Sequence, residues 1–212
     1  MRSEKYDRYE TNLVELAKSG CTESFAELVR KYQVPLIHFL CQRAVTYQDA
    51  EDLAQEVFWR VYDQLARYRP DYTFKTWVFT IAHRLLINHR RRRSVVCLQS
   101  ETISQIMSDQ PVPGWRLEKE EQRRNLWGVA AETLNDSQFV ALWLFYVEQM
   151  STGEIARVLR CTRIGVKTCL FRARQKIKRR LLLRESLPSK PLDPDAHAAS
   201  LVRQLTTELD HV

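Results

Sequence analysis

Two groups of charged residues in this sequence could carry chemistry, and they have opposite signs. The segment 49–56 contains four carboxylates: Asp49, Glu51, Asp52 and Glu56. Asp52 and Glu56 stand four residues apart, so on a helix they could share a face and hold a divalent cation, or bind a basic protein surface. Residues 155–184, by contrast, include eleven Lys or Arg and no Asp or Glu. Such a run favours contact with the phosphates of a nucleic acid.

Nothing else in the sequence completes an enzyme active site around the carboxylates. There is no glycine-rich phosphate loop, no nucleophile–base pair and no second set of residues at metal-ligand spacing. The five cysteines are scattered without a CxxC pair, which favours ordinary reduced thiols. We therefore expect no catalytic residues, no metal, no cofactor and no small-molecule substrate. A Mg²⁺-dependent nuclease or phosphoryl-transfer enzyme using Asp52 and Glu56 is kept as a minor alternative.

The overall charge is +7 over 212 residues, which suits an acidic partner such as a nucleic acid, an anionic membrane surface or an acidic protein. Residues 72–100 contain six basic residues and no acid, so a second cationic segment precedes the one at 155–184. No apolar run approaches the length of a membrane span, and the opening MRSEKYDRYE is too polar for a signal peptide. We expect a cytoplasmic protein.

Apolar residues recur with a helical period almost throughout, which predicts an all-α protein. A helix is expected near 8–19 with Gly20 as its stop, then one capped by Thr22 or Ser24 and interrupted or kinked at Pro35. Apolar stripes run through 50–65 and 74–86, and helices resume at about 118–133 and 136–148. The predicted architecture is two small helical bundles joined by a flexible linker. Its parts are residues 1–94, a linker at 95–121, a second domain at 122–184 and a C-terminal extension at 185–212.

The segment 151–181 has the layout of a helix-turn-helix motif. Ser151 and Glu154 have the spacing of a capping box that begins a short helix, and Thr162 can cap the helix that follows. The second helix would present a largely basic set of side chains: Arg163, Lys167, Thr168, Phe171, Arg172 and Arg174. A solvated amphipathic helix is the alternative, but such faces usually mix acidic with basic residues.

Three segments occur in order and carry a family resemblance: DAEDLAQEVFWRVY, FKTWVFTIAHRLLINHRRRR and GEIARVLRCTRIGVKTCLFRARQKIKRRL. Together they resemble the two conserved regions of an extracytoplasmic-function (ECF) RNA polymerase sigma factor of the sigma-70 family, over roughly residues 10–184. The resemblance implies that the first domain binds the polymerase clamp and captures the melted −10 promoter element. It implies that the second domain binds the polymerase flap and reads the −35 element. Neither domain of that family is an enzyme.

Residue by residue, the resemblance assigns three sets. The set matching the clamp-binding motif is Asp49, Glu51, Asp52, Gln55 and Glu56, although a merely solvated acidic face is the alternative. The set matching the −10 region is Tyr68, Tyr72, Phe74, Trp77, Arg84, Asn88, Arg90, Arg91, Arg92 and Arg93. Within it Phe74 and Trp77 fall on the apolar stripe and could instead be core. The −35 set is the basic face of the helix-turn-helix given above, with base contacts expected near the start of the second helix.

The sequence departs from the family pattern at several positions. Arg84, Arg160, Gly165 and Cys169 stand where Asn, Gly, Thr and Arg are frequent, and Phe139 replaces a common Arg. These changes leave the promoter sequence open. The resemblance also implies an anti-sigma partner, often membrane-tethered. A weak amphipathic helix at 195–210 could dock on the second domain or bind a regulator. A stand-alone helix-turn-helix regulator is the second functional hypothesis, but it gives the acidic helix no role.

Overall fold

The computed structural model describes residues 2–42, 46–97 and 126–185. All regular structure in these ranges is helical, which confirms the all-α prediction. The helices are α1 (Arg2–Lys18), α2 (Thr22–Cys41), α3 (Tyr47–Asp63), a 3-10 turn at Leu65–Arg67, α4 (Phe74–Cys97), α5 (126–133), α6 (Asp136–Tyr146), α7 (Thr152–Leu159) and α8 (Arg163–Glu185). None of them is both long enough and apolar enough to cross a membrane. Most of the predicted linker and the expected helix at 195–210 lie outside the described residues.

Helices α1–α4 form an N-terminal unit around one aromatic and aliphatic core. The Phe39 and Phe79 rings meet edge to face at 5.4 Å between centroids, and both side chains are fully buried. Removing a buried ring of this kind typically costs about 3–5 kcal/mol of folding free energy. Gly20 ends α1 with a φ of +97°, a conformation that glycine adopts without strain, as predicted.

Helix α2 differs from the sequence prediction in two ways. It begins at Thr22 with Cys21 as the residue before it, and no side chain caps that end, so neither Thr22 nor Ser24 is the cap. Of the two effects predicted for Pro35, an interruption does not occur, because the helix continues through it to Cys41. The proline removes one backbone hydrogen bond, but Tyr32 and Leu36 are buried on either side of it and hold the helix to the core.

Helices α5–α8 form a C-terminal unit built around α6. Seven consecutive residues of α6, 138–144, are buried, so this helix is covered on all sides. The rings of Phe139, Trp127 and Trp143 pack together, with the Phe139 centroid 5.6 and 6.2 Å from the two tryptophan rings. An apolar ring at position 139 therefore fills the centre of the unit, where the family more often has an arginine.

The two units touch along α4 and α7. Helix α4 extends to Cys97, three residues past the predicted domain boundary, and its first half is buried on the side that faces α7 as well as on the side that faces its own unit. Thr76 and His83 are buried polar residues on this part of α4. Polar groups buried there need partners, and the C-terminal unit supplies some of them.

Candidate protein and nucleic-acid interfaces

The acidic residues at 49–56 lie on α3 and divide into two kinds. Asp49 belongs to the helix end: its carboxylate accepts from the Thr46 backbone N–H at 3.0 Å and the Thr46 hydroxyl at 2.7 Å. This is a capping box, which fixes where α3 begins. Asp52, Gln55 and Glu56 are exposed along the outer face, and Glu51 is half-buried. The outer face can therefore meet a protein partner while Asp49 holds the helix in shape.

Trp59 extends the acidic face and is a residue that the sequence analysis missed. It follows Gln55 and Glu56 by one helical turn, and its side chain is 67% exposed. A large exposed aromatic beside charged residues is typical of the energetic centre of a protein interface. Trp59 comes seven residues, or two helical turns, after Asp52, and this spacing was the signal in the sequence that both share one face.

Most of the aromatic residues predicted to meet the −10 element lie in the core of the N-terminal unit. Phe74 is 3% exposed, and Tyr68 and Trp77 are each 8% exposed. The Tyr68 ring contacts the rings of Phe74 and Trp77 at 5.7 and 5.0 Å, and its hydroxyl donates to the Tyr72 carbonyl at 2.7 Å. Only Tyr72, half-buried, keeps part of its ring at the surface. These contacts fold the loop before α4 back onto the helix.

The basic residues of α4 lie mostly at the surface. Arg84, Asn88, Arg91 and Arg92 are exposed, whereas Arg90 is half-buried and its guanidinium pairs with Asp136 of α6. The pKa of Arg84 is lowered, first by partial burial and then by the neighbouring Arg160. Arg93 is helical, but its side chain lies outside the described set. The exposed members form a cationic surface suited to phosphate.

Helix α7 has the ends that the sequence predicted. The Ser151 hydroxyl accepts from the Glu154 backbone N–H, and the Glu154 carboxylate accepts from the Ser151 N–H at 2.9 Å. At its far end, Arg160 has φ 54° and ψ 45°, the left-handed conformation that usually belongs to glycine. Thr162 caps α8 by accepting from the Gly165 N–H at 3.0 Å, as predicted. Together α7, the short turn and α8 make a helix-turn-helix.

One face of α8 is exposed and largely basic. Arg163, Lys167, Thr168, Phe171 and Arg172 all lie on it. Val166 and Leu170 are buried on the opposite side and fix which way the helix faces. Gly153 of α7 leaves room for the Arg163 guanidinium, because a Cβ at that position would lie 3.1 Å from Arg163 Nε. The Arg163 guanidinium therefore lies against α7 at the start of the basic face.

Two residues of α8 differ from expectation. Arg174 does not share the exposed face: its Nε donates to the Tyr146 hydroxyl at 2.9 Å, and its guanidinium lies over the Phe145 and Tyr146 rings. Its place on α8 turns it toward α6 and not outward. Ile164, which the sequence analysis did not select, is 77% exposed in the first turn beside Arg163. An apolar side chain there can contact a thymine methyl group.

Comparison with known proteins identifies families and individual proteins that are similar to this chain. Residues 28–95 match the Sigma-70 region 2 family, and residues 125–177 match Sigma-70, region 4. The chain is 30% identical over 165 residues to RNA polymerase sigma factor YlaC of Bacillus subtilis, covering 75% of this chain and 92% of that protein. It is 31% identical over 185 residues to the RNA polymerase sigma-H factor of Pseudomonas aeruginosa, covering 82% and 95%. The ECF RNA polymerase sigma factor SigM of Bacillus subtilis is 28% identical over 155 residues, covering 72% and 91%.

Two solved structures share the fold. One is CnrH in complex with the cytosolic domain of CnrY, with a TM-score of 0.62 and 22% identity, covering 84% of this chain and 99% of that one. The other is the sigma factor RpoE in complex with the anti-sigma factor NepR from Bartonella quintana, with a TM-score of 0.64 and 19% identity, covering 78% and 99%. With both regions matched in order and relatives aligned over nearly their whole length, the chain belongs to the ECF group of the sigma-70 family, the subunits that direct RNA polymerase to promoters.

Proposed function

We propose that this sigma factor binds core polymerase through the outer face of α3 and contacts promoter DNA at two separate places. The observation that carries the proposal is the division of charge between helices: α3 exposes carboxylates, whereas α4 and α8 expose guanidinium and ammonium groups. An acidic face repels DNA and suits a basic protein surface, whereas a basic face attracts the phosphates of DNA. A stand-alone DNA-binding regulator would leave α3 without a partner.

The polymerase contact is centred on Asp52, Glu56 and Trp59. These three residues lie one above another on α3, all exposed, so one flat partner surface can reach them together. Trp59 supplies apolar area that becomes buried on binding, and the carboxylates give orientation and a faster association rate. We place this face against the polymerase clamp.

The −10 element would meet the loop before α4 and the cationic surface of that helix. Tyr72 offers part of a ring on which an unstacked base can lie, and Arg84, Asn88, Arg91 and Arg92 can contact the backbone of the opened strand. Tyr68, Phe74 and Trp77 would act by shaping the loop, since they are buried. We assign no DNA contact to their side chains in this conformation.

The −35 element would be read by α8. Residues in its first two turns, Arg163, Ile164, Lys167 and Thr168, reach base edges in the major groove in this proposal, and Arg172 contacts phosphate. Binding of the polymerase flap by the C-terminal unit is part of the same proposal. RpoE was solved in complex with the anti-sigma factor NepR, and we propose that an anti-sigma protein restrains this chain too.

We propose that the protein acts without catalytic chemistry of its own. Asp52 and Glu56 share the α3 face, but Glu56 accepts from Arg60 at 2.6 Å and Asp52 accepts from Gln48 at 3.1 Å. Within residues 2–42, 46–97 and 126–185, no group of three His, Cys, Asp or Glu is placed to hold a metal ion.

The test is run-off transcription with core polymerase on a promoter library, coupled to a pull-down of core polymerase. We expect the wild type to initiate from a defined subset of promoters. Asp52→Lys and Trp59→Ala should each lower affinity for core polymerase by more than about tenfold, since both remove groups at the centre of the contact. Glu132→Lys, a charge reversal at an exposed position of α5, is the control and should bind normally.

A wild-type protein that neither binds core polymerase nor supports initiation would overturn the proposal. Tight binding of duplex DNA by the protein alone, with no requirement for polymerase, would favour the stand-alone regulator instead.

A further inference from the structure

Two large apolar side chains on the outer face of α8, Phe171 and Leu182, have no role in the proposed function. They are 51% and 55% exposed. We propose that residues 195–210 of this chain fold back along α8, cover both side chains and compete with promoter DNA for the basic face. Only the last part, the competition with DNA, rests on the proposed function, because it assigns that face to the −35 element.

Phe171 and Leu182 lie on one line along α8. They are eleven residues apart, which is close to three complete helical turns and about 16 Å along the axis. Val166, Leu170 and Ile177 are buried on the other side of the helix, so the packing of the unit turns this line outward. Single exposed apolar residues are ordinary, but a line three turns long can be covered by a second amphipathic helix.

The same face of α8 is strongly basic. Residues 163–183 include eight Lys or Arg and no Asp or Glu. Arg172, Lys178 and Arg179 are exposed beside the two apolar side chains. A helix that covers Phe171 and Leu182 therefore gains most if it carries carboxylates at the edges of its own apolar stripe.

Residues 195–210, which lie outside the described residues, have a sequence that meets this requirement. Their apolar residues recur at helical spacing: Leu201, Val202, Leu205 and Leu209. As a helix, this segment would present a stripe about 12 Å long. Asp195 and Glu208 would border the stripe on its two sides, and the segment contains three carboxylates but one arginine. Its apolar and acidic residues thus complement the apolar and basic residues of α8.

A short connection brings the segment back along α8. The helix ends at Glu185, and only nine residues, 186–194, separate it from the segment. Nine residues reach at most about 30 Å, which exceeds the 8–10 Å between the axes of two packed helices. As a helix of sixteen residues, the segment would be about 24 Å long, enough to extend antiparallel to α8 past Leu182 to Phe171. The tether also gives an effective concentration of the order of millimolar, so weak contacts suffice.

Docking at Phe171 would exclude DNA from part of α8. Arg172, which we assign to a promoter phosphate, follows Phe171 directly and is exposed. A segment that covers Phe171 brings the carboxylates of Glu208 and Asp210 to the same end of the face, where they take the place of phosphates. The segment and the duplex therefore compete, and the apparent affinity for DNA falls by the fraction of chains that are undocked.

The test compares four full-length proteins: the wild type, Leu205→Glu, Leu182→Gln and the control Thr207→Glu. Leu205→Glu places a charge in the apolar stripe, whereas Thr207→Glu adds the same charge on the opposite side of the segment. Leu182→Gln alters the α8 side of the contact at an exposed position. Amide hydrogen exchange measures protection within 195–210, with protection of α2–α4 as the check on folding. Fluorescence anisotropy measures the affinity for a labelled duplex of mixed sequence.

We expect slow exchange within 195–210 in the wild type and in Thr207→Glu, and faster exchange in Leu205→Glu and Leu182→Gln. If the docked form is about ten times more populated than the undocked form, full undocking raises the apparent affinity for the duplex by up to about tenfold. The rise should occur in Leu205→Glu although this variant and the control have the same net charge.

A wild type in which 195–210 exchanges at the rate of an unfolded peptide would overturn the docking. Protection that survives Leu182→Gln unchanged would place the segment elsewhere, and protection that depends on protein concentration would assign the contact to a second copy of the chain. Either result would overturn the proposal for α8. Lost protection in Leu205→Glu with unchanged duplex affinity would overturn the competition with DNA. None of these results would touch the proposed function, which is tested by transcription with core polymerase.

Discussion

Arg160 holds a backbone conformation that its side chain disfavours. With φ 54° and ψ 45° it ends α7 in the left-handed region, where a residue with a Cβ pays roughly 1–2 kcal/mol relative to the right-handed region. We expect Arg160→Gly to stabilise the protein by about 0.5–1 kcal/mol, part of the gain being offset by the greater freedom of glycine in the unfolded chain. Urea unfolding at neutral pH measures the difference.

Arg160→Ala is the control for this prediction, because it removes the same charge beside Arg84 and keeps the Cβ. If the alanine variant gains as much stability as the glycine variant, relief of charge repulsion explains the effect and backbone strain does not.

His83 should make stability depend on pH. Its imidazole is 8% exposed, and burial lowers its pKa below the ordinary 6.5, although a hydrogen bond to the Val158 backbone and nearby Asp136 act in the opposite direction and Arg84 adds to the lowering. A lowered pKa means that the unfolded chain takes up a proton first as the pH falls. The stability due to neutral His83 is therefore complete above about pH 6.5 and is lost below it.

The measurement is the free energy of unfolding at pH 7.5 and pH 5.5 for the wild type and for His83→Gln, which cannot be protonated. We expect a smaller loss between the two pH values in the variant. An equal loss in both proteins would assign the acid sensitivity to other groups.

At the scale of the element, substitutions on α8 should distinguish base contacts from phosphate contacts. Ile164 offers only an apolar surface, so Ile164→Ala should weaken the preference for thymine at one or two −35 positions. The expected cost is about 1 kcal/mol for the preferred base, the value of burying roughly one methyl group. Arg172→Ala should weaken binding across sequences and reduce the slope of log affinity against log salt by about one, because Arg172 is assigned to phosphate.

Both variants are measured as holoenzyme on the promoter library, at several salt concentrations. Gln175→Ala, at an exposed position of α8 beyond the first two turns, is the control. An unchanged base preference in Ile164→Ala would remove that residue from the reading surface.

The ends of helices were predictable because their chemistry is local. Ser151, Glu154 and Thr162 are matched to partners three residues away, and each forms the predicted cap. The buried faces of α3 and α8 were predictable for the same reason, because burial along these helices repeats with the helical period. Pro35 was harder to judge, because whether a proline ends a helix depends on the core on either side of it.

Contacts made by loops and between helices were not predictable. Tyr68 was expected to offer a ring to DNA, yet it packs on Phe74 and Trp77, because the loop folds back in a way that its polar composition does not indicate. Arg90 and Arg174 were assigned to DNA from their charge and the family resemblance, and each has a partner on α6 that only the fold brings near. Charge patterns indicate which faces suit a charged partner, but not which residues are already paired within the protein.

At the scale of the whole molecule, one exposed ion pair joins the two units. Arg90 of α4 pairs with Asp136 of α6, and both side chains are substantially exposed, so the pair contributes no more than about 1 kcal/mol. Asp136→Asn and Arg90→Gln each break this pair, and each should lower the free energy of unfolding by no more than about 1 kcal/mol. Urea unfolding of the wild type, the two single variants and the double variant measures the coupling between the two residues.

Asp136 also stands in the first turn of α6, where a negative charge favours the helix, so Asp136→Asn should cost slightly more stability than Arg90→Gln. The double variant should then cost less than the sum of the two single variants, because the pair is broken only once. If the losses of the two single variants add in full, the pair contributes nothing to stability, and the packing of α4 against α7 joins the two units without it.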